Sequence, residues 1–329
     1  MLKVAFAGFR HSHIIDLYAE IKNHPQLEVV GAFEEYAPSR MEAEARDVVF
    51  NYESLEALLN DPQVDIVATG DCFGNRGSVA IKALQAGKHV LTDKPLCTRL
   101  AELSEIRRLA AEKKLAVGIL LNLPDLPNFV TAQEAIQEDM LGKINNIVFE
   151  GQHPLLYGSR PDWYYEPELH GGVINDIAIH GIDLARLLTC SDLEEVIGAR
   201  CWNFYAKEGP SLKDSAQFLL KTTSGAGIIG DVSYAAPNTQ GFSHSAYWHF
   251  RIWGEKGMMD FGVNLPHVTV YLNGEKQPRL LPQSETRRSY LTDFLAAVET
   301  PALTAGFNAR MLASTEQTLM VQAKADSCC

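Results

Sequence analysis

The sequence predicts an α/β protein with two domains, the first built on a parallel sheet and the second an α+β domain with a largely antiparallel, open sheet. Three observations predict this class. From residue 2 to about 121, short runs rich in β-branched residues alternate with longer stretches of helical periodicity, as in βαβ units. Beyond that point, β-rich runs follow one another with turns between them. The segment 122–128 contains two prolines and interrupts the periodicity, so we expect domains of residues 1–121 and 122–329.

The elements of the first domain have local signals. Apolar residues recur at helical spacing between Ile14 and Ile21, and Gly87 is suited to end a helix in the left-handed conformation. The predicted parallel strands are 2–7, 28–33, 64–69, 88–92 and 115–121.

The second domain is predicted to contain one long helix ahead of most of its strands and two helices at its end. These helices are expected at about 172–188, 287–298 and 308–324. The predicted strands are 143–151, 194–205, 214–222, 226–235, 246–253 and 257–271.

Composition and charge exclude several classes of protein. The 41 acidic and 29 basic residues give a formal charge of −12, which repels phosphate backbones and anionic membrane surfaces, so we expect neither nucleic acid nor membrane as a partner. The six cysteines show no Cys-x-x-Cys pair or disulfide-like spacing. No apolar run approaches a membrane span or a signal-peptide core, so a reducing cytoplasm is the expected location.

The segment 8–13 is a candidate dinucleotide site. The first strand ends at Gly8 and a helix follows at once, which is where backbone N–H groups bind a pyrophosphate. Only the first glycine of the G-x-G-x-x-G pattern is present, so a tight turn without a ligand stays open from this motif alone. We expect Arg10, with Ser12 or His13, to compensate by donating side-chain hydrogen bonds to phosphate.

An acidic residue and two further strand ends complete the predicted cofactor site. Glu34 closes the second strand, where a carboxylate can accept both hydrogen bonds of a ribose diol and would repel a 2′-phosphate, so NAD is favoured over NADP. The predicted cofactor-binding residues are Gly8, Phe9, Arg10, His11, Ser12, His13, Glu34, Thr69, Gly70, Asp71, Asp93 and Lys94.

Two other segments carry side chains suited to chemistry at an alcohol. Lys94 follows a predicted parallel strand, where an ammonium can stabilise a developing alkoxide. Asp176 and His180 are four residues apart on a predicted helix, and a neutral imidazole can accept an alcohol proton while the carboxylate orients it. A solvated lysine and a surface Asp–His pair are the alternatives. Trp163, Tyr164 and Tyr165 lie just upstream and can stack on a sugar ring, the alternative being that they only pack the loop.

A metal site is not predicted. Asp176, His180 and Asp183 have ligand-type side chains, as do His11 and His13, but no supporting cluster of Cys or His accompanies either group.

Taken together, these segments resemble the family named after glucose-fructose oxidoreductase, inositol dehydrogenase and a rhizopine-catabolism protein (Gfo/Idh/MocA). The resemblance covers essentially the full length. Its motifs are 83–90 leading into Asp93-Lys94-Pro95, Gly171-Gly172 followed by Asp176 and His180, and the turn 253–257.

The resemblance implies an N-terminal Rossmann domain, a nicotinamide cofactor and an open sheet used for dimer or tetramer contacts. It also implies that Lys94 contacts the substrate hydroxyl and that His180 is the acid/base. The sequence departs from the family in the missing loop glycines, in Arg76 where histidine is frequent, and in Leu123-Pro124 where arginine is frequent.

The sequence therefore predicts hydride transfer between NAD and a secondary alcohol of a sugar, inositol or related polyol. Lys94, Asp176 and His180 are the predicted catalytic residues, and these three with Trp163 are the predicted substrate contacts. Two alternatives remain open: a glycosidase or lyase that uses a tightly bound NAD transiently, and a non-catalytic NAD or sugar sensor of the same fold.

Overall fold

Two β-sheets organise the chain, one with five strands and one with eight. The computed structural model describes residues 1–286 and 289–327. The first of two structural units comprises Met1–Leu120, Glu168–His170 and Tyr290–Thr315, and the second comprises the other described residues. Within the described part of the chain, no helix combines the length and the apolar character needed to cross a bilayer.

The helices and strands alternate in the order that the sequence predicts for the first third of the chain. The strands are β1 Leu2–Ala7, β2 Leu27–Phe33, β3 Ile66–Thr69, β4 His89–Thr92, β5 Val117–Ile119, β6 Ile144–Pro154, β7 Leu193–Trp202, β8 Ser215–Thr222, β9 Gly227–Ala236, β10 His249–Gly254, β11 Gly257–Gly262, β12 Val268–Leu272 and β13 Arg279–Leu281. The α-helices are α1 His13–Lys22, α2 Ala37–Glu44, α3 Leu55–Asn60, α4 Phe73–Gln85, α5 Leu100–Lys113, α6 Pro127–Gln137, α7 Ile179–Thr189, α8 Tyr290–Glu299 and α9 Pro301–Asp326.

The first unit contains the predicted parallel sheet, with strand order β2-β1-β3-β4-β5. Apolar side chains of α1, including Ile14 and Leu17, pack in one core with Val4 and Phe6 of β1. Strands that are buried on both faces need apolar side chains on both, which explains their continuous apolar runs. The predicted fold class is thus confirmed for this unit.

The edge of this sheet at β5 is covered by residues far along the chain. The side chain of Asn308 accepts a hydrogen bond from the N–H of Val117 at 2.9 Å and donates to the carbonyl of Leu115 at 2.8 Å. Gly118 allows close approach, since a Cβ there would lie 2.6 Å from the ring of Phe294. These contacts satisfy edge groups that would otherwise be free to pair with another strand.

The second unit contains the eight-stranded sheet, in the order β13-β12-β11-β10-β6-β9-β8-β7. All its pairs are antiparallel except β6 with β9, which run parallel. The rings of Phe149, Phe250 and Phe261 stack across β6, β10 and β11, with centroids 5.3 Å and 5.5 Å apart. Helix α7 lies close to β6, because a Cβ at Gly181 would be only 2.2 Å from the Phe149 ring.

Several elements differ from the sequence prediction, among them α6 Pro127–Gln137, which was not predicted. The helix expected at 172–188 begins as a π-helical segment, Ile174–Ala178, that continues into α7. The run 257–271 is divided into β11 and β12, and β13 was not predicted. The predicted start of a helix at 287 falls outside the described residues.

Candidate active site

Glycines shape the loop that follows β1. Gly8 has φ of +87°, and a Cβ there would lie 2.8 Å from the Cβ of Asp71. At Gly70, after β3, a Cβ would lie 2.4 Å from the Cβ of Ile14 in α1. Close packing of helix against sheet, which the later glycines of the fingerprint usually allow, is therefore obtained here from the neighbouring strand.

Glu34 joins this loop to the end of β2. Its side chain is buried, and its two oxygens accept hydrogen bonds from the N–H groups of Phe9 at 2.5 Å and Tyr36 at 2.7 Å. Burial raises the pKa of the Glu34 carboxyl, against the two backbone donors, which lower it. A carboxylate offers about four lone pairs, so it retains acceptor capacity for a ligand.

A cleft of about 600 Å³ opens beside Gly8 and Glu34. Arg10 lines it, and its guanidinium carbon lies 3.9 Å above the centre of the Tyr36 ring. Thr69, at the end of β3, has a buried hydroxyl without a hydrogen-bond partner among residues 1–286 and 289–327, although it does not line this cleft. The cleft thus offers a glycine turn, a carboxylate and a cation, which fit the ribose and phosphate groups of a dinucleotide.

Asp93 is the centre of a buried charged cluster after β4. Its Oδ2 accepts from His11 Nδ1 at 2.5 Å and from Arg76 Nη2 at 2.9 Å, and its Oδ1 accepts from the N–H of Lys94 at 2.8 Å. His13 Nδ1 is 3.5 Å from the other side of the carboxylate. Although burial opposes ionisation, Arg76 and the histidines hold the pKa of Asp93 well below its usual range.

Arg76 ties the ends of β3 and β4 together. It is fully buried on α4, donates from Nε to the carbonyl of Asp71 at 2.8 Å and from Nη1 to the carbonyl of Lys94. This side chain, which in the sequence is only a departure from the family pattern, thereby fixes the position of the Lys94 backbone.

His11 and His13 lie with Asp93 in an arrangement that could also be considered for a metal ion, since one ligand atom from each lies within 4.8 Å of the others. Burial, opposed by the charge of Asp93, lowers the pKa of His11 to about 3, so the ring is neutral near pH 7. The same Asp93 oxygen already receives Arg76, whose charge would repel a cation. The geometry therefore favours a hydrogen-bonded His–Asp pair.

Lys94 lies at the carboxyl end of β4, as predicted. The side chain is buried, and its ammonium lies 5.7 Å from the centre of the Phe73 ring. The peptide bond between Lys94 and Pro95 is cis.

In the second unit, Asp176 lies in the π-helical segment ahead of α7. It is buried, and its Oδ2 accepts a hydrogen bond from the hydroxyl of Tyr234 on β9. Burial and the Asp176 charge raise the pKa of Tyr234 well above its ordinary value, so the phenol remains a proton donor. Single π turns inside helices are frequent at functional sites, and this one carries the predicted carboxylate.

His180 occupies the first turn of α7, against an aromatic wall. Its ring lies 5.3 Å from the ring of Trp248, which is itself 5.3 Å from the ring of His153. Trp248 has φ of +53°, a conformation that is unusual for a bulky residue. Gly151 makes room for it, because a Cβ there would lie 2.8 Å from the indole.

Trp163 is buried, and its ring lies 4.4 Å from the ring of Tyr164. Arg160, just upstream, places its guanidinium over Tyr164 at 5.1 Å and over Tyr234 at 5.5 Å. The loop of Trp163 is thus linked through aromatic contacts to the tyrosine that binds Asp176.

The structure gathers the predicted residues into two groups, one in each unit. The first unit brings together the turn at Gly8, the strand ends and the cluster around Asp93, and the second holds Trp163, Asp176 and His180. Sequence reasoning missed Arg76, Tyr234 and Trp248 as parts of these groups. Their contacts join elements that are distant in sequence. Only Arg76, in the helix after β3, carried a local signal, because it stands where the family frequently has histidine.

Comparison with known proteins identifies the relatives of both units. Residues 2–120 match the family model described as "Oxidoreductase family, NAD-binding Rossmann fold", and residues 129–260 match the "GFO/IDH/MocA C-terminal domain". D-xylose dehydrogenase of Paenarthrobacter nicotinovorans is 28% identical over 224 residues, which span 63% of this chain and 57% of that enzyme. The match therefore spans little more than half of the length of this relative.

Solved structures show the same fold. One from Erwinia carotovora atroseptica has a TM-score of 0.87 at 23% identity and covers 99% of both chains. An inositol dehydrogenase homologue from Azotobacter vinelandii, solved with NAD⁺, has a TM-score of 0.82 at 17% identity over 99% of this chain and 95% of that one. With its two parts matching the two domains of one family, the chain belongs to the Gfo/Idh/MocA family of oxidoreductases, with an N-terminal NAD-binding Rossmann domain.

Proposed function

We propose that this oxidoreductase transfers hydride reversibly between NAD and a secondary alcohol of a sugar, inositol or related polyol. The observation that carries the proposal is that Asp176 and His180 lie on one helical segment. Asp176 accepts a hydrogen bond from the Tyr234 hydroxyl, and the ring of His180 packs against Trp248. A fixed carboxylate and an imidazole in a largely water-excluded setting are what proton transfer from an alcohol requires.

The first unit would hold the cofactor. The turn from Gly8 to His13, the strand-end residues Thr69-Gly70-Asp71 and the Asp93-Lys94 pair would contact the dinucleotide, and Glu34 the adenosine ribose. When bound, NAD supplies the acceptor for the hydride. Glu34 favours NAD over NADP because a carboxylate repels a 2′-phosphate, and the ratio of the two specificity constants measures this preference.

Three side chains would act on the substrate. We assign His180 as the base that takes the hydroxyl proton, with Asp176 orienting substrate and ring. Lys94 would donate to the substrate oxygen and stabilise the negative charge that develops on it. Trp163 would contact the sugar ring.

The open face of the second sheet would be used for self-association as a dimer or tetramer. Ile197, Leu219 and Ile229 are 49%, 40% and 49% exposed on β7, β8 and β9, and Leu219 pairs directly with Ile229. Neighbouring apolar side chains exposed on a sheet face are typical of an interface.

The test of the proposed function is a screen of sugars, inositols and sugar acids with NAD, followed by kinetics of His180→Ala. Turnover should fall by about 10² to 10⁴ with NAD binding nearly unchanged, because only proton transfer is lost. His267→Ala, in the loop before β12, is the matched control and should retain activity. Near-normal turnover of His180→Ala on the substrate found in the screen would remove His180 from the mechanism.

A further inference from the structure

Arg160 presents a fixed cation beside the substrate residues of the second unit. It follows β6 and is partly buried. Nε donates to the carbonyl of Leu155 at 2.9 Å, and Nη2 donates to the carbonyl of Pro154 at 3.0 Å. Two bonds to backbone groups determine the direction of the guanidinium, whose remaining nitrogen is Nη1.

Aromatic rings connect this guanidinium to Asp176. Its carbon lies 5.1 Å from the centre of the Tyr164 ring and 5.5 Å from that of Tyr234, and the Tyr234 hydroxyl donates to Asp176. Arg160 is therefore separated from the proposed catalytic carboxylate by a single tyrosine. The negative charge of Asp176 helps to raise the pKa of Arg160. One oxygen of Asp176 accepts the hydrogen bond from the Tyr234 hydroxyl.

Two hydrogen-bonding groups here are unused by the protein. Among the residues that the structure describes, Arg160 donates from Nε and Nη2 and not from Nη1, and Nη1 is not fully buried. The hydroxyl of Tyr165 is buried and likewise lacks a partner in the described ranges, and the charge of Arg160 acts on it. The unsatisfied, buried hydroxyl of Tyr165 costs free energy, which a ligand acceptor would recover.

We propose that Arg160 binds a carboxylate of the substrate, so that the substrate is a polyhydroxy acid rather than a neutral sugar or polyol. This inference rests on the proposed function, because it assigns the substrate class of that same site. A guanidinium donates well to a planar carboxylate, and the charge-assisted hydrogen bond is stronger than a neutral one. A phosphate monoester carries about two negative charges and would call for further cations, whereas Asp176 is the neighbouring charged group here.

The experiment compares acids with their neutral counterparts on the same protein. D-galacturonate is paired with D-galactose, D-gluconate with D-glucitol, and D-glucose 6-phosphate represents the phosphate esters. NADH formation gives kcat and KM, and calorimetry on the NAD-loaded protein gives Kd without requiring turnover. The variants are Arg160→Gln and Arg160→Lys, with Arg108→Gln on the exposed surface of α5 as the matched control.

The wild-type protein should prefer at least one acid over its neutral partner by about tenfold or more in kcat/KM or Kd. Arg160→Gln should reduce kcat/KM for that acid, or its affinity, by about 10- to 100-fold and leave the values for the neutral partner within about twofold. A general loss of structure would reduce both. Arg160→Lys keeps the charge but loses the two backbone hydrogen bonds that direct the guanidinium, so its affinity for the acid should fall between those of the wild type and Arg160→Gln. Arg108→Gln should behave as wild type.

Several results would overturn the inference: no acid bound at all, neutral partners or the phosphate ester preferred, or an acid preference that survives Arg160→Gln. Failure of the proposed function is distinguishable. Acids that bind in an Arg160-dependent manner but yield no NADH would contradict hydride transfer and leave the carboxylate site standing.

Discussion

Removal of Arg76 is the sharpest test of how the end of β4 is held. Arg76 and Asp93 are both fully buried, and their side chains are joined at 2.9 Å. Arg76→Leu removes this ion pair and the two bonds to the carbonyls of Asp71 and Lys94, while Asp93 keeps His11 and one backbone N–H. A buried carboxylate deprived of its cation typically costs about 3–5 kcal/mol of unfolding free energy.

Urea unfolding of the wild type, Arg76→Leu, Asp93→Asn and the double variant measures this coupling. The double variant should be more stable than the sum of the single losses predicts, since the neutral amide that replaces the Asp93 carboxylate no longer needs a cation. The pH dependence has a definite sign. Because the folded pKa of Asp93 lies well below its unfolded value of about 3.9, its stabilisation is present above that pH and is lost as the pH falls through the folded pKa.

In Arg76→Leu the folded pKa of Asp93 should rise, because burial is then opposed mainly by His11. The difference in unfolding free energy between the wild type and Arg76→Leu should therefore decrease as the pH is lowered below about 4. The claim that Arg76 balances this charge would be refuted if Arg76→Leu lost less than about 1 kcal/mol of unfolding free energy near pH 7. It would also be refuted if Arg76→Leu cost as much in the Asp93→Asn background as in the wild type.

Three further predictions concern the cofactor loop, the aromatic wall and the open sheet. Arg10→Ala should weaken NAD binding by about tenfold or more and reduce its salt dependence, whereas an unchanged Kd at low and high salt would leave Arg10 without a role there. Trp248→Phe should lower kcat about tenfold through a displaced His180, with Trp253→Phe on β10 as the control that retains kcat; equal values would disprove the positioning role. Ile229→Asp should shift the protein toward monomer in sedimentation experiments, and an unchanged mass would exclude this face as the interface.

The sequence predicted those parts of the fold that depend on local pattern. Strands β1 to β4 lie within about two residues of the predicted runs, because apolar β-branched residues bounded by turns form a local signal. The parallel pairing of β6 with β9 and the π turn at Ile174–Ala178 were not predicted, since both depend on neighbours distant in sequence. Periodicity likewise could not reveal that α8 packs beside β5, as the Phe294 contact shows.

In the candidate site too, residues in local motifs were predicted and residues that depend on distant contacts were not. Lys94, Asp176 and His180 were identified from motifs, but the groups that hold them were not. Arg76 is an arginine within a helix, usually a solvated residue, and is buried here because two strand ends supply its acceptors. Tyr234 is one aromatic residue in a strand, and its role depends on Asp176 some sixty positions earlier, about which sequence spacing contains no information.

Transfer of deuterium from the oxidised carbon tests the central claim most directly. A polyol or sugar acid found active in the screen is deuterated at the carbon that bears the reacting hydroxyl and is incubated with NAD and the enzyme. We predict NADH that carries one deuterium and forms in a one-to-one ratio with the ketone, with a slower rate than for the protiated substrate. Conversion of substrate without net NADH, or NADH without the label, would contradict a dehydrogenase and favour a cycle in which bound NAD is regenerated.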